Sequence, residues 1–275
     1  MLRVFPRRTA YTPIDDMAFV GDPPLIWPND EKPEANEVHV SVAFTWDVDE
    51  GQRLAEAWRH HYPIVKVGGP AMGSKPNGFT PGLYIRRGVT FTSRGCNGFC
   101  PWCLVPQREG KLRLCDPIPE GYVVQDNNFL QCPRSHRQRV YQMLARQRRA
   151  ALFAGGLQAS LVNDQIADEL RGLRIESVFL AADTRDSLWA LERALKKLAF
   201  LPRRKLRCYT MVGYGNELLD EAEERLETIW RLGAMPFAQL YRPPEGRAEY
   251  SREWAALARK WSRPAAMMAT HKSKR

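Results

Sequence analysis

Cys96, Cys100 and Cys103 fall in one short segment, Thr92-Ser93-Arg94-Gly95-Cys96-Asn97-Gly98-Phe99-Cys100-Pro101-Trp102-Cys103. The spacing is C-x3-C-x2-C. Thiolate is the soft ligand that iron–sulfur clusters take, and short spacings let one loop reach several irons. Three thiolates cannot saturate a four-iron cube. One iron of a [4Fe–4S] cluster held here stays open for a substrate or cofactor, which suits a catalytic centre better than a structural one. The competing chemistry is zinc, with a fourth ligand from Cys115, Cys132 or His136. Tetrahedral zinc sites usually use paired C-x2-C motifs or C-x2-C with a His pair, and neither pattern is completed. Six cysteines in 275 residues, none of them before Cys96, are too few for a secreted disulfide scaffold. A cytoplasmic location is expected, with no signal peptide in Met1–Arg8 and no membrane span, because no run of about 18 apolar residues occurs.

The loop needs a frame, and the sequence supplies strand and helix patterns on both sides of it. Val38, Val40, Val42 and Phe44 alternate with more polar residues, as in a strand. A helix over about Glu50–His61 and a strand over Ile64–Val67 complete a βαβ unit. Gly68-Gly69-Pro70 reads as a simple turn rather than a close approach to a nucleotide-like ligand. Residues 71–86 are rich in Gly and Pro and form a linker or lid. Beyond it six strands are expected: Val89–Thr92, Gly121–Gln125, a weaker Ala151–Ala154, Ser177–Ala181, Leu206–Val212 and Pro236–Leu240. Leu188, Leu191, Leu195 and Leu198 mark one intervening helix, and Leu219, Ala222, Leu226 and Ile229 another, each with one apolar stripe. Six strands alternating with helices predict a parallel, barrel-like sheet whose function gathers at the C-terminal strand ends. The fold class is α/β: an N-terminal α/β (βαβ) module over 1–86, a partial (β/α)6 barrel over 87–245, and a basic helical tail over 246–275.

At the cysteine loop the sequence resembles the radical S-adenosylmethionine (SAM) superfamily, whose signature is C-x3-C-x-aromatic-C; Trp102 supplies the aromatic residue. The run from Thr92 through Leu104-Val105-Pro106-Gln107-Arg108-Glu109-Gly110 is similar to the branch containing methylthiotransferases and cobalamin-linked radical SAM proteins. Asp126-Asn127-Asn128-Phe129-Leu130, Gly155-Gly156-Leu157-Gln158 and Tyr241-Arg242-Pro243 extend the resemblance over residues 85–262. It implies a radical SAM barrel, a [4Fe–4S] cluster on Cys96, Cys100 and Cys103, and SAM bound at the open iron. It also implies an electron donor of flavodoxin or ferredoxin type. By place, Asp126, Asn127 and Asn128 correspond to the region that contacts the SAM amino group, although the usual Gly-Gly-Glu segment is replaced. Gln158 and Ser160 stand where relatives show Asp and Arg. Asp183 falls where ribose or substrate contacts are made, unless it caps the helix starting near Ser187. Tyr209, Tyr214 and Tyr241 are candidates to line the pocket. The N-terminal half lacks the D-x-H-x-x-G run of cobalamin binding and the extra cysteines of a methylthiotransferase.

The net charge is +10, and it is unevenly placed. Residues 1–86 carry 9 Lys+Arg against 11 Asp+Glu, so the basic excess lies in the cysteine-bearing part. Arg134, Arg137, Arg139, Arg146, Arg148 and Arg149 fall in one helical stretch without an acid, Lys196–Arg207 holds a second cluster, and the tail a third. Such surfaces suit phosphate. A nucleic-acid or nucleotide substrate is therefore the leading expectation. The enzymatic alternative is modification of a peptide or small metabolite, and the non-enzymatic one a cysteine-metal nucleic-acid-binding module.

Overall fold

A computed structural model of the chain describes residues 1–27, 31–73, 79–243 and 248–272. Part of the expected linker, residues 74–78, and the expected boundary at 245–246 lie outside the described residues. Two compact units divide at Val89 and Thr90.

The first unit is built on a four-stranded parallel sheet: β1 (Leu2–Phe5), β2 (Ala18–Val20), β3 (Val38–Ser41) and β4 (Val65–Gly68), in the order β2-β1-β3-β4. The sequence pattern shows β3 and β4 but not β1 and β2. All four residues of β1 are buried, Arg3 included, so the strand lacks the alternation that marks a half-exposed strand. Arg3 pairs there with Asp15 and donates to the carbonyls of Gly82 (3.1 Å) and Leu83 (2.7 Å). Helix α1 (Val48–Arg59) turns Leu54, Ala55 and Trp58 onto Leu2, Val4, Val38, Val40 and Val42. Gly69 has φ +114°, and a Cβ there would lie 2.5 Å from the Val42 carbonyl oxygen. The turn after β4 thus needs glycine to pass Val42, and the backbone, not a ligand, fills that space.

The second unit holds a six-stranded sheet. Its strands are β5 (Val89–Thr90), β8 (Val123–Val124), β9 (Ala151–Gln158), β10 (Ile175–Ala181), β11 (Leu206–Val212) and β12 (Met235–Leu240), in the order β12-β11-β10-β9-β8-β5. From β8 to β12 every neighbour is parallel, so their C-terminal ends share one edge. A separate two-stranded antiparallel ribbon joins β6 (Ser93–Arg94) to β7 (Arg113–Leu114) and encloses the short helix α2 (Val105–Glu109). Helices α3 (Arg134–Arg146), α4 (Asp164–Arg171), α5 (Leu188–Lys197) and α6 (Leu219–Leu232) supply the apolar stripes that cover one face of the sheet. Val178, Leu180, Leu206 and Cys208 are buried under them. The tail is helical, α7 (Arg252–Ser262) and α8 (Pro264–Lys272). It sends Leu257, Trp261 and Met267 into a core with Val212, Leu226 and Met235.

The weak third strand is in fact the longest. Gly155 and Gly156 do not end β9; they let it pass close to its neighbour. A Cβ on Gly155 would meet the Asp126 carbonyl oxygen at 2.0 Å, and Gly156, at φ +98°, sits where the register with β10 shifts. The architecture is therefore mixed α/β with parallel sheets. Among the described residues no helix is long and apolar enough to cross a membrane.

Candidate metal and cofactor site

The cysteine segment is the tip of the β6–β7 ribbon, and its stem is fixed at three points. Gly95, at φ +77°, lies against the backbone of the returning strand, where a Cβ would stand 2.2 Å from the Lys111 carbonyl oxygen. This approach lets the Cys96 N–H bond to the Gly110 carbonyl at 3.1 Å. Second, the Glu109 carboxylate accepts from Arg94 (2.7 Å), the Gly95 N–H (3.0 Å) and the Asn127 amide (2.8 Å). Third, the buried Asp126 carboxylate accepts from the Thr92 N–H, the Thr92 hydroxyl and the Ser93 hydroxyl, each at 2.6 Å. Burial pushes the Asp126 carboxyl above the usual carboxylate range, against the pull of those donors.

All six cysteines are free thiols. Cys96 and Cys103 are half-buried and Cys100 is exposed. The Gly98 N–H points at the Cys96 sulfur (3.3 Å), and the Cys103 N–H bonds to the Cys100 carbonyl (3.0 Å). Partial burial raises the Cys100 thiol above its ordinary value; Cys103, Asp183 and Cys96 raise it further, so these four groups are electrostatic neighbours. Among the described residues, however, no three His, Cys, Asp or Glu side chains are gathered around one point at metal-holding distance. The loop thus offers three thiol donors within one short segment without gathering them at one point. Cys132 and His136 are committed elsewhere. Burial pushes the Cys132 thiol up to about 11. The His136 ring nitrogen Nε2 lies 3.0 Å from the Thr92 carbonyl, and burial lowers its pKa. Neither is placed as a fourth zinc ligand.

The other expected site residues separate into two groups. Asn128 and Gln158 meet directly, the Asn128 amide donating to the Gln158 carbonyl oxygen at 2.8 Å, and Gln158 donates to Ser160 at 2.8 Å. Gln131 ties this pair to the cysteine loop: its carbonyl oxygen accepts from the Asn97 N–H (2.8 Å) and lies 3.6 Å from the Cys96 sulfur. The Asn128 side-chain oxygen is buried with no hydrogen-bond partner among the described residues, an acceptor that an arriving N–H donor would satisfy. Asp126 and Asn127, by contrast, spend their polar groups on the loop stem rather than on an open surface.

Asp183 belongs to the second group, at the C-terminal ends of β10 and β11. Thr184, not Asp183, caps the following helical turn; Asp183 accepts from the Met211 N–H at 2.8 Å. It lines a cavity of about 240 Å³ with Trp102, Met211, Tyr214 and Arg225. Burial raises the Asp183 carboxyl, while the Met211 N–H and Arg225 pull it down. Trp102 meets Tyr214 edge-on at 5.4 Å, and Tyr214 meets Tyr241 at 4.9 Å, so the residue before Cys103 is one wall of the cavity. Tyr209 lies on the sheet and donates to the Ala154 carbonyl at 2.8 Å.

Glu109, Gln131 and Arg225 are not marked as functional by the sequence pattern. Arg225 is buried, pairs with Glu217 and donates to the Met211 carbonyl at 2.8 Å, so it braces the cavity. The arginine-rich stretch looks different in three dimensions. Arg134 and Arg137 pair with Glu169 (3.5 and 3.2 Å), Arg139 with Asp116 (2.7 Å) and Arg146 with Glu120 (3.3 Å). Arg137 is buried and also donates to the Cys132 carbonyl at 2.8 Å. Four arginines of this run are thus supplied with acids by neighbouring elements, whereas Arg148 and Arg149 follow the end of the helix and Arg149 donates to the Tyr122 hydroxyl at 3.0 Å. No protein-family model matches the chain, and no curated protein matches it.

Proposed function

We propose that the chain is a radical SAM enzyme in which Cys96, Cys100 and Cys103 ligate a [4Fe–4S] cluster at the C-terminal edge of a partial barrel. The observation that carries this reading is that three thiols stand on one braced loop whose Trp102, the residue before Cys103, walls a cavity also lined by Asp183. A cluster bound there would supply the electron for reductive cleavage of SAM, drawn from a flavodoxin- or ferredoxin-type donor. The chain's own share is positional. Glu109 and Asp126 fix the stem, so the thiolates are presented from a rigid base. The edge formed by Asn128, Gln131 and Gln158 offers the acceptors that suit an ammonium group. Asp183, half-buried at a strand end, suits a ribose hydroxyl or a substrate polar group. Tyr214 and Trp102 exclude water from the cavity wall.

The resemblance of the loop to the superfamily signature supports the same chemistry. Zinc is disfavoured because Cys132 and His136 engage Ser93 and Thr92 of the stem, and the charged neighbours of Cys115 are Asp126, Arg94 and Arg113 rather than the loop thiols. The test is anaerobic reconstitution with iron and sulfide. Wild type and Cys208→Ala should gain matching iron, sulfide and visible absorbance, and should release 5′-deoxyadenosine from SAM under reduction. Cys96→Ala, Cys100→Ala and Cys103→Ala should lose both properties. Normal iron and absorbance in the triple variant would overturn the assignment.

A further inference from the structure

The six-stranded sheet has two faces, and only one is accounted for by its helices. Along β11 the residues Cys208, Thr210 and Val212 are fully buried, while Arg207, Tyr209 and Met211 alternate with them and remain half-buried. Phe179 on β10 and Phe237 on β12 flank this second row and are also half-buried. None of the three aromatic residues belongs to a hydrophobic core formed by the described residues. They pack on one another instead. Phe179 stacks on Tyr209 with centroids 4.6 Å apart and planes 28° apart, and Phe237 meets Tyr209 edge-on at 5.5 Å. Gly156 faces the group from β9, where a Cβ would come to 3.8 Å from the Tyr209 ring.

Arg207 lies among these rings, 5.3 Å from the Phe179 centroid and 5.5 Å from that of Phe237. Its Nε–H is buried without an acceptor. Burial lowers its pKa, Tyr209 is the titratable neighbour that bears on it, and among the described residues no carboxylate pairs with it. A guanidinium drawn out of water without a counter-charge is costly, and two rings return only part of that cost. The arginines of α3 have their acids; this one, on the sheet, has none among the described residues. About 13 Å of strand separates Arg207 from Met211, which lines the cavity beside Asp183.

We propose that this sheet face is the floor of a substrate site for a nucleotide, with the base extending the Phe179–Tyr209 stack and the phosphate bound by Arg207. The inference names a substrate class for the enzyme proposed above and rests on that reading for the chemistry that follows binding. The chemistry of the face selects its ligand: flat rings recognise a flat ring, and the unpaired planar fork recognises a phosphate in bidentate fashion. A single small nucleotide fits better than a polynucleotide track, because the α3 arginines that would follow a backbone are already paired to Glu169, Asp116 and Glu120.

The test is equilibrium dialysis of the full-length chain, without SAM or reductant, against the four ribonucleoside 5′-monophosphates and the matching nucleosides. At least one monophosphate should bind about tenfold or more tighter than its nucleoside. Arg207→Gln should abolish that difference and leave nucleoside binding unchanged, while Phe237→Leu should weaken both ligands alike. Arg207→Lys, which keeps the charge and loses the fork, should reduce the phosphate preference by about threefold or more, and it serves as the decisive variant if Arg207→Gln does not fold. Equal affinity for nucleotide and nucleoside, an Arg207 variant that binds like wild type, or no binding by about 1 mM would overturn the proposal. Loss of the iron assignment would leave these binding results unchanged. Iron-dependent SAM cleavage without nucleotide binding would overturn only the substrate class.

Discussion

Asp126 and Thr92 are joined twice: the Thr92 N–H and the Thr92 hydroxyl each reach a different oxygen of the Asp126 carboxylate at 2.6 Å. The pair fastens the end of β8 to the strand that leads into the cysteine loop. Asp126→Ala would leave the Thr92 and Ser93 donors without their acceptor, a loss of about 1–3 kcal/mol. Iron uptake on reconstitution should fall in that variant although all three thiols remain. Unchanged melting and iron content would remove Asp126 from the scaffold.

The same group sets a pH dependence. The folded state raises the Asp126 and Asp183 carboxyls, so it holds their protons to higher pH than the unfolded chain does. Their contribution to stability is therefore fully present below the ordinary carboxylate range and is lost as pH rises from there through the folded values. Asp126→Asn, which cannot ionise, should flatten that fall. Urea melts across this interval check the slope, and an Asp126→Asn slope as steep as wild type would refute this sign.

Glu109 makes a local prediction. Its carboxylate collects Arg94, Gly95 and Asn127 around the neck of the loop. Glu109→Ala should release the neck at a cost of about 1–3 kcal/mol. Trypsin should then cut after Arg108 or Lys111 sooner than in wild type, read by mass spectrometry on a time course. Cleavage at the wild-type rate would show that the ribbon holds without Glu109.

Asn128 separates cofactor binding from cluster assembly. Its unpartnered carbonyl oxygen suits the SAM ammonium, and Asn128→Leu should weaken SAM binding about tenfold while iron content is kept. Equilibrium dialysis on the reconstituted protein measures this directly. Equal SAM affinity in the two proteins would place the ammonium elsewhere.

The arginines of α3 should behave as structural ions. Arg137→Met leaves Glu169 with weaker pairing in a mostly buried place and should cost about 3 kcal/mol. Reversing Arg134, Arg139 and Arg146, whose guanidinium groups are paired to acids, to Glu should change RNA affinity by no more than about twofold at either of two salt concentrations. A large, salt-sensitive loss would return the nucleic-acid reading to this helix.

What can be read from the sequence depends on whether the signal is local. The strand over Leu206–Val212 has the boundaries its alternation predicts, because each residue meets either the helices or the half-buried second face. The strand over Leu2–Phe5 escapes the pattern because it is buried on both faces. The strand through Gly155 and Gly156 is cut short in the pattern because glycine usually ends a strand, whereas here it permits a close backbone approach. Within the site, the cysteine spacing is visible in twelve consecutive residues. The Glu109 clamp, the Gln131 bridge and the acids that neutralise α3 are contacts between distant segments, so nothing in a short window marks them. The Arg207 cation is hidden for the opposite reason: in sequence it belongs to a basic cluster, and only in the fold does it stand on the half-buried face of the strand while Lys205 closes the turn before it.

The burial of Cys208 also makes the chain convenient to footprint. Its thiol is fully enclosed beneath the sheet and pushed up to about 12, and Cys132 behind the loop is pushed up to about 11. At mildly alkaline pH neither offers appreciable thiolate to an alkylating reagent, whereas Cys100 is exposed. Labelling of the native chain is thus confined largely to the loop and Cys115. Shielding of the loop thiols after loading can be counted in one mass spectrum, with the two buried cysteines as internal controls for unfolding.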